Sequence, residues 1–167
     1  MTHAQTKFGA ETANLVGTLP TVGDAAPEFV FTANDMTDKH LKDYFGKTVI
    51  LNIFPSIDTR VCATSVREFN KRAAAVPNAV VLCISKDLPF AQKRFCGAEG
   101  IDKVETLSDY RGRGFGKDYG VELTNTTFNG LFARAIVVIG PAGKIRYTEL
   151  VPQIGQEPNY DDALKSI

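Results

Sequence analysis

The sequence predicts an α/β fold: one central mixed β-sheet with flanking helices, preceded by an N-terminal β-hairpin extension. Three observations carry the prediction. The runs Val49 to Phe54 and Ala79 to Ser85 are apolar on both alternating faces and rich in β-branched residues, as in parallel strands covered on both sides. Between them, Cys62, Val66, Phe69 and Ala73 fall at 4, 3, 4 spacing, which is one face of a helix, with Ser65, Arg67, Glu68, Lys71 and Arg72 on its other faces. Strand, helix and strand then form a right-handed βαβ unit. Further on, Ala133 to Ile139, the turn Gly140-Pro141-Ala142-Gly143 and the segment Lys144 to Val151 read as an antiparallel hairpin.

Composition bounds what the chain does. Its 167 residues suit a single domain over 1–167, and 44% hydrophobic with 23% charged residues is the balance of a soluble globular protein. Lys plus Arg and Asp plus Glu each number 19, so no basic surface points to a nucleic-acid partner. No apolar run approaches the ~20 residues that span a bilayer, so no membrane partner is expected. The start, Met1 to Phe8, lacks the apolar centre of a secretory signal, and a cytoplasmic location is expected. Cys62, Cys83 and Cys96 contain no C-x-x-C, and neither His3 nor His40 completes a zinc spacing. No metal or other cofactor is implied. In a reducing compartment such cysteines point to catalysis or redox sensing rather than staples.

The remaining elements follow in chain order. Residues 1–20 form the hairpin extension, with strands at Thr6 to Phe8 and Ala13 to Val16. Phe29 to Thr32 is a short strand, Asn34 to Thr37 a turn, and Leu41 to Phe45 one helical turn closed by Gly46. A helix starts after Asp87-Leu88-Pro89, with Asp87 as N-cap, and stops at Gly97 with Gly100 close behind. Val104 to Ser108 is a strand. Asp109 to Tyr119 is a glycine-rich loop with one short helix, in which Arg111 and Arg113 read as solvated charges. The tail from Asn159 is a helix packing Tyr160, Leu164 and Ile167 on the sheet. This order is that of a thioredoxin-like three-layer domain.

The chemistry centres on Pro55-Ser56-Ile57-Asp58-Thr59-Arg60-Val61-Cys62. Pro55 ends the central strand because it has no N–H for the ladder. Asp58 and Thr59 are both suitable N-caps, so Cys62 enters the first turn of the helix. Free N–H groups and the positive end of the macrodipole there favour a thiolate, and the Thr59 hydroxyl can reach over the same turn. The plain alternative is a cysteine packed as a small hydrophobe. Cys83, in mid-strand, suits a core thiol more readily than a resolving one. Cys96, at the end of a short glycine-terminated helix that frays easily, suits either a packed thiol or one that swings to a distant sulfur. Arg134 is either an edge arginine reaching solvent or a guanidinium aimed at the central sulfur.

These residues resemble a known family. Pro55-x-x-x-Thr59-x-x-Cys62 has the Pro-x-x-x-Thr-x-x-Cys pattern of peroxiredoxins. With Arg94-Phe95-Cys96-Gly97-Ala98-Glu99-Gly100 and Ala133-Arg134-Ala135 it is similar to the thiol peroxidase branch of atypical two-cysteine peroxiredoxins, over nearly the whole chain. The resemblance implies Cys62 as peroxidatic nucleophile, Cys96 as resolving thiol of the same chain, and Pro55, Thr59 and Arg134 as the pocket around the sulfur. Cys83 matches a third cysteine that the cycle does not require. The resemblance also implies alkyl and lipid hydroperoxide substrates beside hydrogen peroxide, thioredoxin as reductant, and a homodimer. The hairpin extension and residues 109–132 diverge and are expected to border the pocket or the dimer face. Two rival classes stand beside the peroxidase: a thiol–disulfide oxidoreductase, disfavoured by the missing C-x-x-C, and a redox sensor or holdase using the same cysteines without turnover.

Overall fold

The computed structural model describes residues 3–73 and 75–167; Met1 and Thr2, at the start of the predicted extension, lie outside them. Strands β1 (Gln5–Phe8) and β2 (Glu11–Asn14) pair as an antiparallel ribbon, Phe8 opposite Glu11. The main sheet contains β3 (Val30–Ala33), β4 (Asp38–His40), β5 (Thr48–Ile53), β6 (Ala79–Ser85), β7 (Glu105–Ser108), β8 (Ala135–Ile139) and β9 (Ile145–Leu150). Its order is β4-β3-β7-β6-β5-β8-β9. β5, β6 and β7 run parallel; β3 and β8 join them antiparallel, so the sheet is mixed.

All six residues of β5 are buried, as a strand covered on both faces requires. Its side chains alternate between two cores. Val49, Leu51 and Ile53 join Phe29, Phe31, Phe115, Tyr119 and Phe132 on one face. Ile50, with Phe54 just past the strand, joins Cys62, Val66, Phe69 and Tyr160 on the other. Helices α1 (Arg60–Ala73) and α4 (Tyr160–Lys165) supply the second face, where α2 (Pro89–Glu99) also packs Phe95; α3 (Phe115–Asp118) supplies the first. Burying one large side chain such as Phe69 contributes about 2 kcal/mol.

Several local readings change. β4 was not visible in the sequence. Asp38-Lys39-His40 is polar because it is the sheet's edge, where charged side chains protect unpaired backbone groups. Ser65, placed by the sequence off the apolar face of α1, is fully buried and donates to the Cys62 carbonyl at 2.8 Å. Helix α2 runs through Gly97 to Glu99, and Gly100, at φ +65°, is the left-handed cap whose N–H returns to the Cys96 carbonyl. In α4 the buried residues are Tyr160 and Ala163, whereas Ile167 is exposed. Arg134 lies just before β8, which begins at Ala135.

Candidate active site

The site is built where β5 hands over to α1. Phe54 N–H still donates to Ile84 O at 3.1 Å, and Pro55, buried at the strand's end, stops the ladder. The loop then folds on itself: Thr59 donates to Ser56 O through both its N–H and its hydroxyl, each at 3.1 Å. Ala63 N–H to Thr59 O, 2.9 Å, is the first turn of α1. Thr59 thus precedes the helix, and its hydroxyl proton goes to the loop carbonyl of Ser56 rather than toward the Cys62 sulfur. Cys62, third residue of α1 and fully buried, sits where helical N–H groups lack intrahelical partners.

Asp87 departs from its expected role. Leu88 occupies the N-cap of α2 and Pro89 follows. The Asp87 carboxylate instead accepts from Ser56 Oγ (2.8 Å), the Ile57 N–H (2.7 Å) and Ser85 Oγ (2.6 Å). A carboxylate is acceptor-only, so three convergent donors suit it better than a single helix cap would.

Arg134 reaches the sulfur. It is 2% exposed, so the solvent-edge alternative fails. Its Nη2 donates to Cys62 Sγ at 3.2 Å and its Nε to Ile154 O at 2.8 Å. Nη1 is buried and has no partner. The planar fork is therefore held by one carbonyl, aimed at one sulfur, and left with a free donor. Beside it lies a cavity of about 170 Å³ lined by Thr59, Arg60, Val61, Arg134, Phe8, Phe128, Ile154 and Gly155.

Phe8 and Phe128 were not singled out by sequence reasoning. They belong to the two divergent stretches, line the cavity together, and pack on each other with ring centroids 4.7 Å apart. Backbone bonds hold them there. Lys7 N–H donates to Pro152 O and Ile154 N–H to Lys7 O, fastening the ribbon beside Arg134's carbonyl partner. Thr124 N–H donates to Asn14 O on the ribbon's other side. Nothing in the alternation of either segment marked the two phenylalanines for a pocket.

Cys96 stands apart from this group. All three cysteines are free. Cys96 is half-buried on α2, 3.6 Å from Thr106 Oγ1, and borders a separate groove with Asn34, Lys39 and Ile101. Burial pushes its thiol up, against a hydrogen bond with Thr106. Surface contacts tie this helix to the other cysteine's surroundings: Arg67 of α1 grips Glu99 bidentately, both at 3.0 Å, and Arg94 reaches Asp58 at 3.5 Å. Cys83 is fully buried beside Asn52 Nδ2, and burial pushes its thiol up to about 12. That environment keeps it protonated and inert at neutral pH.

Residues 21–164 match the family model described as Redoxin. A thiol peroxidase of Mycobacterium tuberculosis is 56% identical over 98% of both chains, and one of Corynebacterium glutamicum is 50% identical over 98% of this chain and 99% of its own. A crystal structure of a peroxiredoxin-like protein from Aquifex aeolicus superposes with a TM-score of 0.92 at 38% identity, covering 98% of this chain and 95% of that one. The chain belongs to the redoxin family and, within it, to the thiol peroxidases, oxidoreductases that reduce peroxide through cysteine.

Proposed function

We propose that Cys62 is the peroxidatic nucleophile and that Cys96 resolves it within the same chain. The observation that carries the proposal is Arg134. It is a buried guanidinium 3.2 Å from Cys62 Sγ, its Nη1 is unpartnered, and the residue lines a cavity of about 170 Å³. It forms no ion pair with a carboxylate among the described residues. A thiolate at Cys62 supplies the missing counter-charge, since an unpaired buried charge is costly. Pro55, buried where β5 ends, is assigned the shielding of the sulfur. Thr59, already donating to Ser56 O, keeps lone pairs free to accept from the peroxide O–H.

The sulfur attacks the peroxide's terminal oxygen and the O–O bond breaks. The leaving oxygen takes a proton and departs as water or alcohol, leaving a sulfenic acid. The two free Arg134 donors offset charge on the departing oxygen. Cys96 then attacks the Cys62 sulfur and hydroxide leaves as water, giving a disulfide. Cys62 is fully buried at the start of α1 and Cys96 borders a groove near the end of α2 away from the Arg134 cavity, so both helix ends unwind first. The cross-link closes a 34-residue interval, worth roughly 4 kcal/mol in the chain-entropy model, enough to hold the altered fold. A dithiol reductant of the thioredoxin type reopens it by exchange.

The phenylalanine-lined cavity favours organic hydroperoxides, alkyl or lipid, over hydrogen peroxide alone. A homodimer and a cytoplasmic location complete the reading. Mass spectrometry after one equivalent of peroxide is expected to show an intrachain Cys62–Cys96 link. Peroxide turnover coupled to thioredoxin and its reductase is expected to vanish in Cys62→Ser, to stall after one event in Cys96→Ser and to persist in Cys83→Ser. An exclusively interchain disulfide, or full activity in Cys62→Ser, refutes the cycle. Switching without turnover would favour the sensor or holdase reading.

A further inference from the structure

We propose that Asp87 is a positioning residue for peroxide reduction: its carboxylate clamps the loop between Pro55 and Thr59 in the shape the cavity requires. A continuous chain of bonds leads from it to the site. Asp87 holds Ser56 Oγ at 2.8 Å and Ile57 N–H at 2.7 Å. Ser56 O in turn fixes Thr59 by two bonds at 3.1 Å, and Thr59 O accepts the first helical N–H, from Ala63. Thr59 lines the cavity. Asp87 therefore sets both the peroxide-facing hydroxyl and the first turn that delivers Cys62, without touching either sulfur or substrate.

The clamp is itself braced. Ser85 Oγ donates to Asp87 at 2.6 Å and accepts from Gln92 Nε2 at 3.1 Å. Gln92, fully buried on α2, also donates to Leu107 O at 2.9 Å, and Ser108 Oγ donates to the Asp87 carbonyl. The first half of the Cys96 helix and the Cys62 loop thus share one anchor. No cation pairs with Asp87 among the described residues; neutral donors satisfy its charge. An amide in its place would turn an N–H₂ toward donors and lose at least one bond.

The inference rests on Cys62 as nucleophile, so Cys62→Ser runs beside it. In the reduced full-length chain, second-order rates are measured for oxidation of Cys62 by hydrogen peroxide and for its alkylation by iodoacetamide. Alkylation needs a reactive sulfur but no peroxide pose. Asp87→Asn is expected to slow the peroxide rate roughly 10- to 100-fold, as small misplacements of reacting groups do, while alkylation falls by less than about threefold. Ser56→Ala, which removes one of the three donors, is expected to slow only the peroxide rate, by about threefold, and serves if Asp87→Asn fails to fold. Unchanged peroxide rates, or peroxide and alkylation rates falling in parallel, overturn the proposal while Cys62→Ser stays inactive. Turnover surviving in Cys62→Ser overturns the underlying reading as well.

Discussion

The guanidinium of Arg134 gives the site its direction. Arginine presents a rigid fork, and here the three nitrogens divide the work. Nε anchors on Ile154 O, Nη2 faces Cys62 Sγ, and Nη1 is free. Lysine would keep the charge and lose the fork. Arg134→Lys is therefore expected to lower the second-order rate with hydrogen peroxide by about 10²- to 10³-fold, the usual cost of one oriented donor, as read by competition kinetics. At the cavity's apolar wall the effect should be selective instead. Phe128→Ala removes apolar surface that a bulky substrate would touch and hydrogen peroxide would not. Its KM for an arylalkyl hydroperoxide is expected to rise about tenfold, equivalent to ~1.4 kcal/mol of lost contact, with hydrogen peroxide kinetics unchanged.

Helix α2 has two unequal halves. Pro89 and Gln92 are buried at its start, whereas Gly97, Ala98 and Glu99 are exposed at its end. Gly100 holds that end in a left-handed conformation, which a Cβ strains by about 1 kcal/mol. Gly100→Ala is therefore expected to lower the thermal midpoint of the reduced chain and to speed Cys62–Cys96 disulfide formation, because the end frays more readily. The pH profile reports the same event. Burial pushes the Cys96 thiol up while α2 is intact, and unwinding returns it to the ordinary value near about 8.5. Disulfide formation in a single-turnover experiment should rise with pH to a midpoint near about 8.5. A midpoint well above that value would place the attack in the folded helix.

Across the protein, the sheet divides labour between its faces. One carries the aromatic cluster of Phe29, Phe31, Phe115 and Phe132; the other carries Cys83 on β6, with Cys62 on α1 and Cys96 on α2 packed over it. Cys83 is the one packed inertly, and it contributes to global stability with a definite sign. Its folded-state thiol is pushed up to about 12 by burial, above the unfolded value near about 8.5. Its stabilisation is complete below the unfolded value and is lost as pH rises between the two, by up to about 1.4 kcal/mol per pH unit. Denaturant unfolding at pH 7 and pH 10 should show that decline, with Cys83→Ala about 1 kcal/mol less stable at pH 7 and less steeply affected at pH 10. Buried Tyr44, Tyr119 and Tyr160 are raised in the same direction and act at still higher pH.

The βαβ centre, the placement of Cys62 in a first helical turn and the short glycine-capped helix bearing Cys96 were all legible in the order of residues alone. Those features are local: periodicity, a strand-ending proline and a left-handed glycine act within a few residues of themselves. Three others needed the folded chain: that Arg134 faces the sulfur rather than solvent, that Asp87 grips a loop thirty residues upstream instead of capping its own helix, and that Phe8 packs on Phe128 in the cavity wall. Each of those pairings joins segments distant in sequence, and their geometry depends on which strands lie side by side. The polar edge strand β4 escaped sequence reading because which strand lies at the edge is set by the strand order, and the buried Ser65 because burial of a polar residue is set by the partner it finds, not by its own hydropathy.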